Sequence, residues 1–183
     1  MSQEPLETEL ESKNPMEEIR LEKLILHISA GNDWERLQKA ARLLNNLTNQ
    51  KVAFRRAKST IRTFGISRGD IISCMVTLRG LRAEEFLKKA FLAVDNKVRA
   101  SSFDSRGNFA FGIKEHLDLP DTRYDPEIGT FGMDVIVSLE RPGYRVKKRR
   151  FRRTNIGKKA LIDPEESMSF VEERFGVEVV EAA

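Results

Sequence analysis

Arginine and lysine are spaced in this sequence in the way that phosphate recognition requires. Residues 145–159, RVKKRRFRRTNIGKK, carry Arg145, Lys147, Lys148, Arg149, Arg150, Arg152, Arg153, Lys158 and Lys159, and no acid. Arginine dominates around Phe151. A planar guanidinium grips a phosphate through two hydrogen bonds or stacks on a base, which a lysine ammonium cannot do. A second segment, 51–69, holds six Lys or Arg and again no acid. There Arg55, Arg56, Lys58, Arg62 and Arg68 alternate with Ser59, Thr60, Thr63 and Phe64, which offers cations for phosphates, hydroxyls for phosphate or sugar oxygens, and a ring able to stack on a base. Phe64 has a second reading, as an apolar anchor that plugs the loop into the core.

Other chemistries find little to work with. His27, His116 and Cys74 are the whole supply of His and Cys, too few and too scattered for a metal site. Each histidine reads as a satisfied polar residue at a strand position, and Cys74, among apolar strand residues, as a small buried hydrophobe rather than a nucleophile. Gly157-Lys158-Lys159 lacks the upstream glycine of a phosphate-cradling loop. Nothing nominates a pair of carboxylates facing each other across a cleft, so an enzyme, a metal and a cofactor are all unexpected.

Charge distribution supports the polyanion reading. The net charge is only +4, with a pI near 9.3, yet residues 1–22 carry seven acids against two bases, 163–183 seven against one, and 141–159 ten bases without an acid. A charged run is often just a solvated face, but clustered cations gain from releasing the counterions condensed on a nucleic acid. With 183 residues, 40% hydrophobic and 33% charged, the chain is long enough to bury a core as one domain, expected over 15–183 behind an acidic tail at 1–14. No apolar run approaches the roughly 18 residues of a membrane span. A lone cysteine forms no internal disulfide and fits a reducing cytoplasm.

The elements that must position these residues follow from periodicity. Ile19, Leu21, Leu24, Leu26 and Ile28 predict a strand whose alternation slips near Lys23, where a bulge fits. Trp34, Leu37, Ala41, Leu44 and Leu47 predict a helix over 33–48 capped by Asn32 or Asp33. A short strand over 51–54 leads into the first basic segment, which reads as a long-reaching loop. Further strands are predicted at 71–78, from Phe109 to Ile113 and from Phe131 to Leu139, with a second helix over 83–95. A last helix opens at Asp163-Pro164-Glu165-Glu166 with a capping box and ends at Gly176. The fold class is therefore α+β: a mostly antiparallel sheet with helices on one face and long basic loops. Ala110, Gly112, Gly132, Asp134, Ser138 and Thr77 fall on the other face, small or polar enough for a bulky partner to approach the sheet.

RRAKSTIRTFGISRGDIISCMVTLRG, with NQKV at 49–52, SFDSRGNFAFGIKEHLDLP at 102–120, YDPEIGTFGMDVIVSLERPGYRV at 124–146 and KKRRFRR, resembles the large-subunit ribosomal protein L-five family, called L-eleven in eukaryotes, in an archaeal-like form. The resemblance runs from about residue 15 to 180. It implies a cytoplasmic, non-enzymatic constituent of the large ribosomal subunit that binds 5S rRNA in the central protuberance. Carried over by motif, the 5S rRNA contacts are His27, Gln50, Phe64, Thr77, Arg79 and Gly80. His27 stands where many members have Asn, and Ser29-Ala30-Gly31 replaces their glycine-rich turn. The loop reaching the P-site tRNA is implied at Arg56, Lys58, Ser59, Thr60, Arg62 and Arg68. Residues 145–159 then become an extension on 23S-type rRNA, fixed by phosphates on assembly. Other proteins of the central protuberance, and a small-subunit protein across an intersubunit bridge, are the implied protein partners. A free-standing RNA-binding protein is the alternative that the basic segments alone leave open.

Overall fold

Apolar residues recurring every second position generate the sheet. In the computed structural model, which describes residues 14–120 and 122–180, the strands are β1 (Arg20–Ser29), β2 (Ala53–Arg56), β3 (Ile71–Leu78), β4 (Lys97–Arg99), β5 (Phe109–Ile113), β6 (Met133–Glu140) and β7 (Glu178–Val180). The helices are α1 (Trp34–Thr48), α2 (Leu81–Leu92), the short α3 (Arg145–Lys148) and α4 (Pro164–Phe175). The predicted acidic tail lies almost wholly outside the described residues.

Five strands pair antiparallel in the order β2-β3-β1-β6-β5, and β4 pairs parallel with β7 in a separate ribbon. Alternation assigns Leu24, Leu26, Ile28, Cys74, Val76, Leu78, Val135 and Val137 to the covered face, where they share one core with residues of α1 and α2 and with Val171 of α4. Phe91 of α2 locks three elements together: its ring lies 5.4 Å from Phe111, 6.3 Å from Phe109 and 5.5 Å from Phe175 at the end of α4. Full burial of one such ring contributes about 1.5–3 kcal/mol.

The expected slip in β1 is a register shift between Leu21 and Lys23, so Glu22 is the extra residue of a bulge. Asp33 caps α1 by accepting the Arg36 N–H at 3.1 Å. The capping box at Asp163 and Glu166 and the left-handed Gly176 bound α4 as expected. In α1 the buried stripe is Leu37, Ala40, Leu43, Leu44 and Thr48, rotated from the expected one. Trp34 is 48% exposed, because the edge strand β2 is too short to cover it and supplies only Phe54, 5.5 Å away.

Among the described residues no helix covers the other face. Residues directly opposed across an antiparallel pair share a side, so the registers align Met75, His27, Asp134 and Gly112 in one row, and Thr77, Ile25, Ile136 and Ala110 in the next. Small and polar residues dominate the face, as expected, but Ile25 and Ile136 add an apolar centre.

Candidate nucleic-acid interface

Two cationic structures stand at the ends of this uncovered face. Strand β3 begins at Ile71, where the hairpin from β2 returns, and ends at Leu78, paired with Leu24 near the bulge of β1. Seven steps at about 3.4 Å separate those ends by about 24 Å. The first basic segment occupies the first end. The second leaves β6 at the other, beside Arg79.

The first segment is not a loose loop. Ala57 donates to Asp70 O at 2.8 Å and Gly69 to Ala57 O at 3.0 Å, continuing the ladder; Ile61 donates to Ile66 O at 2.8 Å, and the Arg68 N–H to Thr60 Oγ1 at 3.0 Å. Arg62–Phe64 then form one 3₁₀ turn ended by Gly65 at φ 63°. Arg56, Lys58, Ser59, Thr60, Arg62 and Arg68 are all exposed. Phe64 is 74% exposed at the tip, so it does not plug the loop into the core. Arg55 extends over the open face, its Nε 2.7 Å from Met75 Sδ.

The second segment is partly pinned to the body. Arg141, with a side chain only 12% exposed, donates to Glu17 O, Leu161 O and the Glu166 carboxylate at 3.0, 3.1 and 2.8 Å, so it serves the fold. Lys148 donates to Glu22 and Glu140, both at 2.6 Å. The hydroxyl of Tyr144 donates to Ala160 O at 2.8 Å, and Arg149 Nε to Arg152 O at 2.8 Å, closing a tight turn. Arg152 lies over the Phe151 ring at 5.2 Å. Arg145, Lys147, Arg150, Arg153, Lys158 and Lys159 are exposed. Two of the ten bases at 141–159 are therefore committed to protein carboxylates, a division that composition cannot reveal.

The remaining predicted residues lie along the face, at its Arg79 end and in the α1–β2 connection. Thr77 and His27 are on the open face in adjacent rows, with His27 Nδ1 3.2 Å from Asp134 Oδ2. Arg79 is exposed, with Nη1 3.8 Å from Glu22 Oε1. Gly80 follows at φ 61°, opening α2. Gln50, half-buried, joins α1 to β2. Sequence reasoning missed Glu22, Lys23, Arg106 and Asn108 near the Arg79 end; the bulge at Glu22 was the only available signal.

The reactive side chains are occupied or inert. His116 is buried, its backbone N–H donating to Phe131 O at 2.8 Å and its Nδ1 accepting the Phe131 N–H at 3.3 Å. Burial pushes the Cys74 thiol up to about 11, leaving it protonated near neutrality. Among the described residues no three His, Cys, Asp or Glu side chains converge as metal ligands, and no helix is long and apolar enough to cross a membrane.

Residues 14–66 match ribosomal protein L5, and residues 71–170 match the ribosomal L5P family C-terminus. The chain belongs to the ribosomal L5 family. Large ribosomal subunit protein uL5 of Sulfurisphaera tokodaii is 50% identical to it over 94% of this chain and 98% of its own length. The uL5 of Pyrobaculum aerophilum is 48% identical over 91% and 93%, and that of Methanococcus vannielii 45% over 94% and 97%. This L5 chain is thus a structural constituent of the large ribosomal subunit and not an enzyme. In L5 terms the two matched regions meet between residues 66 and 71, inside the β2–β3 hairpin, while the sheet interleaves strands from both.

Proposed function

We propose that this L5-family protein holds 5S rRNA in the central protuberance of the cytoplasmic ribosome, using the uncovered sheet face and its Arg79 end. In this reading Thr77, Arg79, Gly80, His27 and Gln50 meet the 5S rRNA, while the exposed hairpin tip, Arg56 to Arg68, reaches the P-site tRNA and carries Phe64 with it, at the opposite end of the face from the 5S contacts with which its motif groups it. The extension from Arg145 to Lys159 lies on 23S-type rRNA, beside neighbouring proteins of the protuberance and a small-subunit protein across an intersubunit bridge. One observation carries the reading: two acid-free cationic segments stand at opposite ends of a sheet face that no helix among the described residues covers. Phosphates satisfy the cations, and the small and apolar residues between them admit ribose and base.

Crosslinking in intact particles is the test. The chain is expected to sediment with large subunits and to crosslink to 5S rRNA through the Arg79 end and to tRNA through the hairpin. Recovery only outside the ribosomal fractions, bound to miscellaneous RNA, would establish the free-standing binder instead.

A further inference from the structure

A cleft of roughly 520 Å³ opens at the Arg79 end, between the bulge of β1, the turn 104–108 and the start of the basic extension. Five cations line it, Lys23, Arg106, Lys147, Lys148 and Arg153, against two carboxylates, Glu22 and Asp104, a net of +3.

Both carboxylates are consumed by the protein. Glu22 is held by Lys148, with the Ser138 hydroxyl 3.1 Å away. Asp104 accepts the backbone N–H groups of Arg106 and Asn108, each at 2.8 Å, and Asn108 Nδ2 at 3.0 Å. That turn is rigid. Gly107 sits at φ 72° against the C-terminal segment, where a Cβ would meet Ile162 Cγ2 at 2.6 Å, so the backbone cannot retreat and Arg106 is presented outward.

The neutral groups are spent as well. Tyr144 donates to Ala160 O, Asn108 to Asp104, and Ser138 lies between Glu22 and Asn108 Oδ1. Arg106, Lys147 and Arg153 form no ion pair within 4.0 Å among the described residues. The charged groups left without an ion pair in the cleft are thus cationic donors, which favours an occupant that brings anionic acceptors.

We propose that the cleft framed by Arg106, Lys147 and Arg153 binds a backbone phosphate of structured RNA, which makes Arg106 an RNA-contacting residue remote in sequence from both basic segments. The proposal rests on the RNA-binding reading above and extends it to a third segment. Lys23 and Ser138, paired across β1 and β6, carry the lining of the cleft onto the uncovered face.

Filter binding of 5S rRNA over a series of KCl concentrations tests it, with the wild-type chain, Arg106→Gln, Arg106→Lys and, as a reference outside the lining of the cleft, Arg79→Ala. Arg106→Gln is expected to weaken binding and to flatten the dependence of log K on log salt by about 0.7–0.9, the value of one neutralised phosphate. Arg106→Lys should keep the wild-type slope. If Arg106→Gln has the wild-type slope while Arg79→Ala does not, the cleft carries no phosphate and 5S rRNA binding at Arg79 still stands. If the wild-type chain ignores 5S rRNA, the broader reading falls, and the cleft with it. Equal flattening by Gln and Lys, with unchanged thermal unfolding, would assign the effect to the turn and overturn the phosphate contact. Adenosine monophosphate and inorganic phosphate separate the possible sources. Weak competition by both is expected, whereas saturation by either that leaves RNA affinity unchanged would overturn an RNA backbone phosphate as the occupant.

Discussion

Glu22 is where a single residue binds distant parts of the chain. The bulge turns its carboxylate inward until the side chain is only 9% exposed, and a charge so placed is costly unless matched. Burial pushes the carboxyl up, but the Lys148 hydrogen bond and charge, then Lys23 and the Ser138 hydroxyl, outweigh it and hold the group below the usual carboxylate value. Burial likewise pulls Lys148 down, and Glu140 and Glu22 more than restore it, leaving it above the usual lysine value. A depressed carboxyl stabilises the fold above its unfolded value and ceases to as pH falls through its folded value; a raised ammonium stabilises below its unfolded value and ceases to as pH rises through its folded one. Lys148→Met should therefore destabilise the protein most between the carboxylate and lysine ranges. About 1–3 kcal/mol is expected at neutral pH, less than the 3–5 of a fully buried pair because Lys148 is 48% exposed and screened by solvent. Urea unfolding from neutral pH down to about pH 3 should show the gap between wild type and variant closing as Glu22 protonates. A gap that stays constant across that range would mean that Lys148 stabilises by packing its stem, not by its charge.

The tip of hairpin β2–β3 shows how a segment presents chemistry while adding little to the core. It is held by backbone hydrogen bonds, and its aromatic side chain, Phe64, points into solvent. Phe64→Ala should accordingly move the unfolding free energy by no more than about 0.5 kcal/mol, as for any surface site outside a packed contact. If the ring stacks on a base, the same change costs about 1–3 kcal/mol of RNA affinity, roughly 5- to 150-fold. Calorimetric unfolding and binding on one preparation separate the two; a large loss of stability with unaltered binding would restore the anchor reading. Elements were legible wherever local chemistry determines them. Strict alternation marked β3, β5 and β6, and Asp163, Pro164, Glu166 and Gly176 marked both ends of α4 without any tertiary knowledge. What the sequence concealed depends on partners far along the chain. Trp34 satisfies a helical stripe yet lies outside it because β2 is short, and the order inside RRAKSTIRTFGISRG comes from cross-strand pairs that no periodicity announces. The candidate interface divides likewise: its cations were visible as charge runs, whereas Arg106, alone on its turn, joins them only in three dimensions.

The molecule as a whole is a scaffold that holds two polycationic ends apart. Each end has its own support, the hairpin ladder at one and the Glu22, Glu140 and Glu166 ion pairs at the other. Separation by about 24 Å of sheet exceeds the roughly 10 Å within which substitutions usually couple. Replacing Arg149, Arg150, Arg152 and Arg153 by Ala should flatten the salt dependence of RNA binding by about 0.7–0.9 for each phosphate that is no longer neutralised. Replacing Arg56, Lys58 and Arg62 by Ala should leave 5S rRNA binding largely intact in free solution, since the hairpin's proposed partner is tRNA. Joining the two sets should then add no more than their separate effects. Arg149 also closes the turn at Arg152, so circular dichroism of the fourfold variant must match wild type before its slope is read. Were the hairpin set alone to flatten the 5S slope by about 0.7–0.9 or more, the value of one phosphate contact, the tip would be gripping 5S rRNA. The division of labour between them, 5S rRNA along the face and tRNA at the tip, would then have to be abandoned.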